Sequence, residues 1–175
     1  SQPSFTAKAS PGATEVARTY VIIGIGHILL GFDHLLFVLA LVMIVKSTRR
    51  LLVTITAFTV AHSITLSLAT LGVLTVPGPP VEAIIALSIV FVASEIIHQR
   101  QGREGRASRK PGVVAFAFGL LHGLGFAGAL AEVGLPEKSI PLALLFFNIG
   151  VEIGQVLFIV FVLAIYRALS KLLAG

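Results

Sequence analysis

The chain contains no cysteine and only one methionine, Met43. The first absence rules out disulfides and thiolate metal sites. The second rules out a methionine relay for cuprous ion. Charge is scarce as well: 12% of the 175 residues are Asp, Glu, Lys or Arg, about half the quarter that soluble domains carry. An ordinary soluble domain is thereby excluded, and a hydrophobic content of 56% excludes disorder. The chain has no Walker A loop and no GxSxG elbow. ATP-driven transport by this chain alone is therefore unsupported. Its length suits a single domain.

What the chain does have is long apolar runs. Five stand out, at residues 17–45, 51–75, 81–98, 112–131 and 140–172. Each approaches or exceeds the ~20 residues that a membrane helix needs. The first and last exceed it, so they must tilt, kink or project from the bilayer. The expected fold is an all-α, polytopic membrane bundle of five transmembrane helices.

The basic residues sort by side. Lys46, Arg49 and Arg50 follow the first run, and Arg100, Arg103, Arg106, Arg109 and Lys110 follow the third. Arg167 and Lys171 end the fifth. Only Lys8, Arg18 and Lys138 fall on the other side. The positive-inside rule makes the richer side cytoplasmic, with the N-terminus outside and the C-terminus inside. The net charge of +5 is then a topology signal and not a nucleic-acid patch. Tyr20 and Tyr166 are expected as interfacial anchors. Residues 1–15 read as a polar extracytoplasmic leader, and 16–175 as one transmembrane domain with a basic cytoplasmic loop at 99–112. An outside N-terminus that starts at Ser1 is most simply explained by a removed signal peptide.

All five histidines lie within or at the end of an apolar run. A charge at membrane depth costs roughly 2.5–3.5 kcal/mol on insertion scales, so such residues usually serve function. In the first run, His27 and His34 are seven apart. On a continuous helix they share a face, two turns and about 10 Å apart, with Gly31 between them. Asp33 adjoins His34 and can orient an imidazole or bind a cation. The alternative for the pair is interhelical hydrogen bonding.

The second run sets His62 in a hydroxyl stripe of Thr56, Thr59, Ser63 and Thr65. Hydroxyls also glue membrane helices together. Glu95 and His98, three apart, form either a second ion station or a snorkelling structural pair beside the basic loop. In the fourth run His122 sits among Gly119, Gly123, Gly125 and Gly128, which permit close packing or a broken helix. In the fifth, Asn148, Glu152 and Gln155 share one stripe beside Gly150 and Gly154. Glu152 has no basic partner in its own run, so it needs a histidine elsewhere, a cation or its own proton. A midplane cluster of imidazoles and carboxylates offers nitrogen and oxygen but no sulfur. Such donors suit nickel, cobalt, zinc or iron as divalent ions.

The stretch Gly26-His27…Gly31-Phe32-Asp33-His34-Leu35-Leu36-Phe37 resembles the signature of the HupE/UreJ proteins. Ala61-His62-Ser63-Ile64-Thr65-Leu66, Leu121-His122-Gly123-Leu124-Gly125-Phe126-Ala127 and Phe147-Asn148-Ile149-Gly150-Val151-Glu152 are similar to further family patterns. The resemblance runs from about residue 20 to 160. It implies a small multi-pass protein of the bacterial cytoplasmic membrane, associated with nickel or cobalt uptake, with a histidine- and aspartate-lined metal path. One departure is Ile28, where many relatives have proline.

The reading that follows is a divalent-metal permease with His27, Asp33, His34, His62, His122 and Glu152 as metal residues. Glu95, His98, Asn148 and Gln155 are secondary candidates. Two rivals stand beside it. An intramembrane zinc hydrolase would hold its metal on three histidines, with Asp33 and Ser63 assisting a bound water. A metal-binding accessory subunit would serve a larger complex. The expected partners are the metal ion and the bilayer; the sequence leaves a homo-oligomer open.

Overall fold

A computed structural model describes residues 12–103, 105–132 and 139–174. Most of the expected leader, and Lys8 and Lys138, lie outside the described residues. Among the described residues the structure is all helical, with no strand. Its elements are α1 (Ala13–Leu30), α2 (Phe32–Ile44), α3 (Thr48–Thr70), α4 (Gly78–Arg100), α5 (Arg106–Arg109), α6 (Pro111–Glu132) and α7 (Ile140–Ala174). Four of these, α1, α3, α4 and α7, are long and apolar enough to cross a membrane. Phe32–Ile44 and Pro111–Gly125 are apolar but shorter.

The local sequence explains the helix ends. α3 and α4 both stop in a Schellman motif. After α3, Gly72 turns left-handed at φ +72° while Val73 N donates to Leu68 O and Gly72 N to Ala69 O. After α4, Gly102 does the same at φ +76°, with Arg103 N donating to His98 O and Gly102 N to Gln99 O. Glycine takes this conformation without the steric cost that a Cβ imposes. Pro79 in the first turn of α4 and Pro111 at the start of α6 occupy positions whose N–H would lack an intrahelical partner anyway.

The first run is not one helix. It breaks at Gly31, whose ψ of 99° is extended, and α2 starts afresh at Phe32. A kink is thus how this long run fits, and the expectation of a continuous face from His27 to His34 is corrected. The last run does stay a single helix of 35 residues. Beyond Phe161 its side chains are mostly exposed, so it projects past the packed part of the bundle.

Two close helix pairs organise the bundle. α6 lies on α3, and α7 lies on α1. A Cβ at Gly119 would strike the Phe58 carbonyl, and one at Gly123 would strike the His62 carbonyl and Thr65 Oγ1. A Cβ at Gly24 would strike the Phe147 carbonyl, and one at Gly150 the Val21 carbonyl. Small residues at these crossings let backbones touch, which is how membrane helices gain packing energy without a hydrophobic drive. Gly119 and Gly123 therefore serve close packing, since the helix runs unbroken through them.

Two apolar clusters fill the interior. One joins Phe37, Leu41, Leu51, Ile55, Phe58, Val92 and Ile159 at the end that carries the basic loop. The other joins Val16, Tyr20, Ile28, Leu66, Leu144, Phe147 and Val151. Tyr20 is 7% exposed within this second cluster, so it is a core residue and not the interfacial anchor expected of it. Tyr166 is exposed.

Candidate metal centre

The imidazoles meet between the two apolar clusters. The break at Gly31 redirects the chain between α1 and α2, and the His27 and His34 ring centroids lie 4.6 Å apart. A methyl group at Gly31 would stand 2.8 Å from His34 Nδ1 and 2.7 Å from the His27 carbonyl. Only a residue without a side chain fits there. His62 arrives from α3, 5.8 Å from His27 and 6.2 Å from His34. His122 arrives from α6, 4.9 Å from His34. Asp33 Oδ1 is 3.2 Å from His34 Nδ1, and Asp33 Oδ2 is 3.9 Å from His122 Nδ1.

These five residues form two ligand groups of three. His27, His34 and His62 are one, and Asp33, His34 and His122 are the other. Within each, one donor atom per residue lies within 4.8 Å of the other two. His34 belongs to both. Phe58 and Phe147 wall the imidazoles: Phe58 stacks on His62 at 6.1 Å and meets His122 edge-on at 5.2 Å, while Phe147 lies 5.4 Å from His27. His62 and His122 are buried, whereas the Asp33 side chain keeps 36% exposure. Asp33 is thus the ligand group most open to an arriving ion.

Neighbouring groups set which ring nitrogens are free. Asn148 Nδ2 donates to Leu144 O at 2.8 Å, which turns its carbonyl toward His62. His62 Nδ1 then donates to Asn148 Oδ1 at 3.2 Å, leaving the lone pair on Nε2. Ser88 Oγ donates to Ile85 O at 2.6 Å, so at 3.4 Å it accepts from His122 Nε2. That leaves the lone pair of His122 on Nδ1, on the side of Asp33. His34 Nε2, His62 Nε2 and His122 Nδ1 are all buried without a hydrogen-bond partner among the described residues. Buried polar atoms are normally satisfied, and imidazole nitrogens left open in this way fit a bound divalent cation.

The other expected residues fall elsewhere. Glu152 Oε1 accepts from Thr56 Oγ1 at 2.6 Å, and Gln155 Oε1 from Thr59 Oγ1 at 3.2 Å. The polar stripe of α7 thus lies along the hydroxyl stripe of α3, with Asn148 meeting His62 further along. Glu152 enters neither three-residue group. Ser63 Oγ donates to Thr59 O and lines a different groove with Ser67, Leu144 and Asn148. Its hydroxyl donates within its own helix. Glu95 is buried and accepts from Ala107 N at 2.8 Å, with Gly105 pressed against its carboxylate. His98 is exposed, and its carbonyl caps α4. This arrangement ties down the basic loop.

Sequence reasoning missed two residues. Ser88 is a lone hydroxyl in an apolar stretch of α4, and nothing nearby marks it as the partner of His122. Gly31 reads in the sequence only as a small residue between two histidines, whereas in the structure it is the hinge that assembles the site.

The chain matches the family described as HupE / UreJ protein over residues 2–174. No curated protein and no solved structure matches it. With nearly its whole length matched, and with apolar helices around a histidine and aspartate cluster, this multi-pass membrane protein belongs to the HupE/UreJ family, which is related to nickel and cobalt transport.

Proposed function

We propose that the protein is a divalent-metal permease of the bacterial cytoplasmic membrane, with nickel or cobalt as its substrate. The observation that carries this reading is the pair of three-ligand groups sharing His34 inside an apolar bundle. In the proposed arrangement α1 and α2 together make one broken span, and α3, α4, α6 and α7 make four more. The N-terminus is outside and the basic end is cytoplasmic. Broken helices that expose ligands near the midplane are a recurring device of transporters.

An ion arriving from outside meets Asp33, the most exposed ligand. It can then pass between the two groups while keeping His34 as a common ligand. Transport needs binding weak enough to release the ion. Three neutral or singly charged donors per group suit that better than a closed cage. The Thr56–Glu152 and Thr59–Gln155 pairs continue a polar seam from His62 toward the basic end, and Glu152 serves there as a relay. Imidazole and carboxylate bind metal only when deprotonated, so affinity falls as the pH is lowered.

The test is nickel and cobalt flux into proteoliposomes, with elemental analysis of the purified chain. Flux that depends on His34 supports the permease. A tightly held stoichiometric zinc with no flux overturns it in favour of an enzyme or an accessory subunit.

A further inference from the structure

At the basic end the bundle encloses a cavity of about 230 Å³ that the metal path does not use. It is bounded by Lys46, Ser47 and Arg50 at the start of α3, by Gln99 at the end of α4, and by Ser108 and Pro111 from the loop into α6. The chemistry of this lining is one-sided. Two cationic side chains and two hydroxyls line it, and among the described residues no carboxylate does. Ser108 Oγ is shut off from solvent and has no hydrogen-bond partner among the described residues.

The backbone adds to this. Ser47 is the N-cap of α3, yet its side chain caps nothing, so the first N–H groups of that helix have no side-chain acceptor. They carry the positive end of a helix dipole. α2 ends at the same place with the opposite polarity. Its Ile44 carbonyl accepts from Gln99 Nε2, which offsets that negative end. Arg50 Nη2 donates to Arg109 O at 2.9 Å, which holds the cation at the rim and fixes the loop over the cavity. A divalent cation is repelled from such a lining, so this is not an exit vestibule for the metal.

We propose that this cavity binds a phosphate group. A phosphate offers several acceptor oxygens, matching the hydroxyl, ammonium and guanidinium donors gathered here. The group can belong to an anionic phospholipid, since basic pockets between membrane helices at the cytoplasmic face hold such headgroups. It can equally belong to a free phosphate compound in the cytoplasm. Occupancy would brace the α2–α3 turn against the loop that Glu95 anchors from the other side.

The test uses the full chain in detergent. Its thermal unfolding is followed against inorganic phosphate in one arm, and against short-chain phosphatidylglycerol in the other, with phosphatidylcholine as control. The midpoint should rise in at least one arm. A rise with phosphatidylglycerol alone assigns a lipid, a rise with inorganic phosphate alone assigns the free anion, and a rise in both assigns the phosphate itself. Lys46→Gln should weaken the effect about fivefold, as one lost cation implies. Ser108→Ala, which keeps every charge, should weaken it too. Arg103→Gln removes a cation from the same end but outside the cavity, and should change nothing. No rise in either arm overturns the proposal. So does equal weakening by Arg103→Gln and Lys46→Gln, which would mean diffuse surface charge. Metal flux is not read in this experiment, so its outcome is independent of the permease.

Discussion

His62 Nδ1 stands 3.2 Å from Asn148 Oδ1, and that one hydrogen bond decides which nitrogen of His62 can hold a metal. The Asn148 amide is oriented by its own bond to Leu144 O, so its carbonyl accepts and Nε2 is left free. Asn148→Leu should keep the helix packing but release the ring. Losing an outer partner of this kind typically costs about 10–100-fold in metal affinity. Calorimetric titration with nickel or cobalt checks it; an unchanged affinity would reduce Asn148 to helix glue.

His34 is common to both ligand groups. His34→Ala should therefore disable both at once and abolish flux. His62→Ala removes a ligand from one group only and should leave measurable binding at the other. Equilibrium binding of both variants separates the cases, with circular dichroism as the folding check. Equal residual binding in the two variants would contradict the shared ligand.

The glycines make a matched pair of tests. A Cβ at Gly123 meets the His62 carbonyl and Thr65 Oγ1, neither of which can easily move. Gly123→Ala should destabilise the chain by about 1–3 kcal/mol, the usual cost of overpacking. Gly26 has nothing within 4 Å of its would-be Cβ. Gly26→Ala should be neutral or stabilising, by up to roughly 1 kcal/mol. Thermal unfolding in detergent measures both.

Glu152 accepts from Thr56 Oγ1, and Glu152→Gln preserves that bond while removing the charge. The expected outcome is intact folding, near-normal equilibrium binding at the imidazoles and reduced flux. A variant with full flux would leave Glu152 as a structural hydrogen-bonder.

Topology can be read directly because the chain has no cysteine of its own. A single cysteine replacing Arg103 should react with an impermeant reagent only from the cytoplasm, and one replacing the exposed Val73 only from outside. Reaction of both from one side would end the five-span arrangement.

Some of this protein is legible in its residue order alone. Apolar runs of membrane length announce helices because the bilayer core leaves backbone groups no other partners. The sites at His27, Asp33, His34, His62 and His122 stand out because ionisable residues are costly in such runs. The α7 stripe of Asn148, Glu152 and Gln155 follows from helical periodicity, which holds wherever a helix is continuous.

What periodicity cannot reveal is where a helix stops being continuous. Gly31 is tolerated inside a helix and at a break alike, so only packing decides between them. Its break brings His27 and His34 to 4.6 Å. Partner choice is equally hidden. That Asn148 meets His62, that Ser88 meets His122, and that Glu95 turns to Ala107 N all depend on which helices lie against each other. Those pairings are set by long-range contacts such as Gly123 against the His62 carbonyl and Gly24 against the Phe147 carbonyl. The sequence marks which residues are costly to bury. Tertiary packing determines which of them share a site, because a distance between two helices is a property of both.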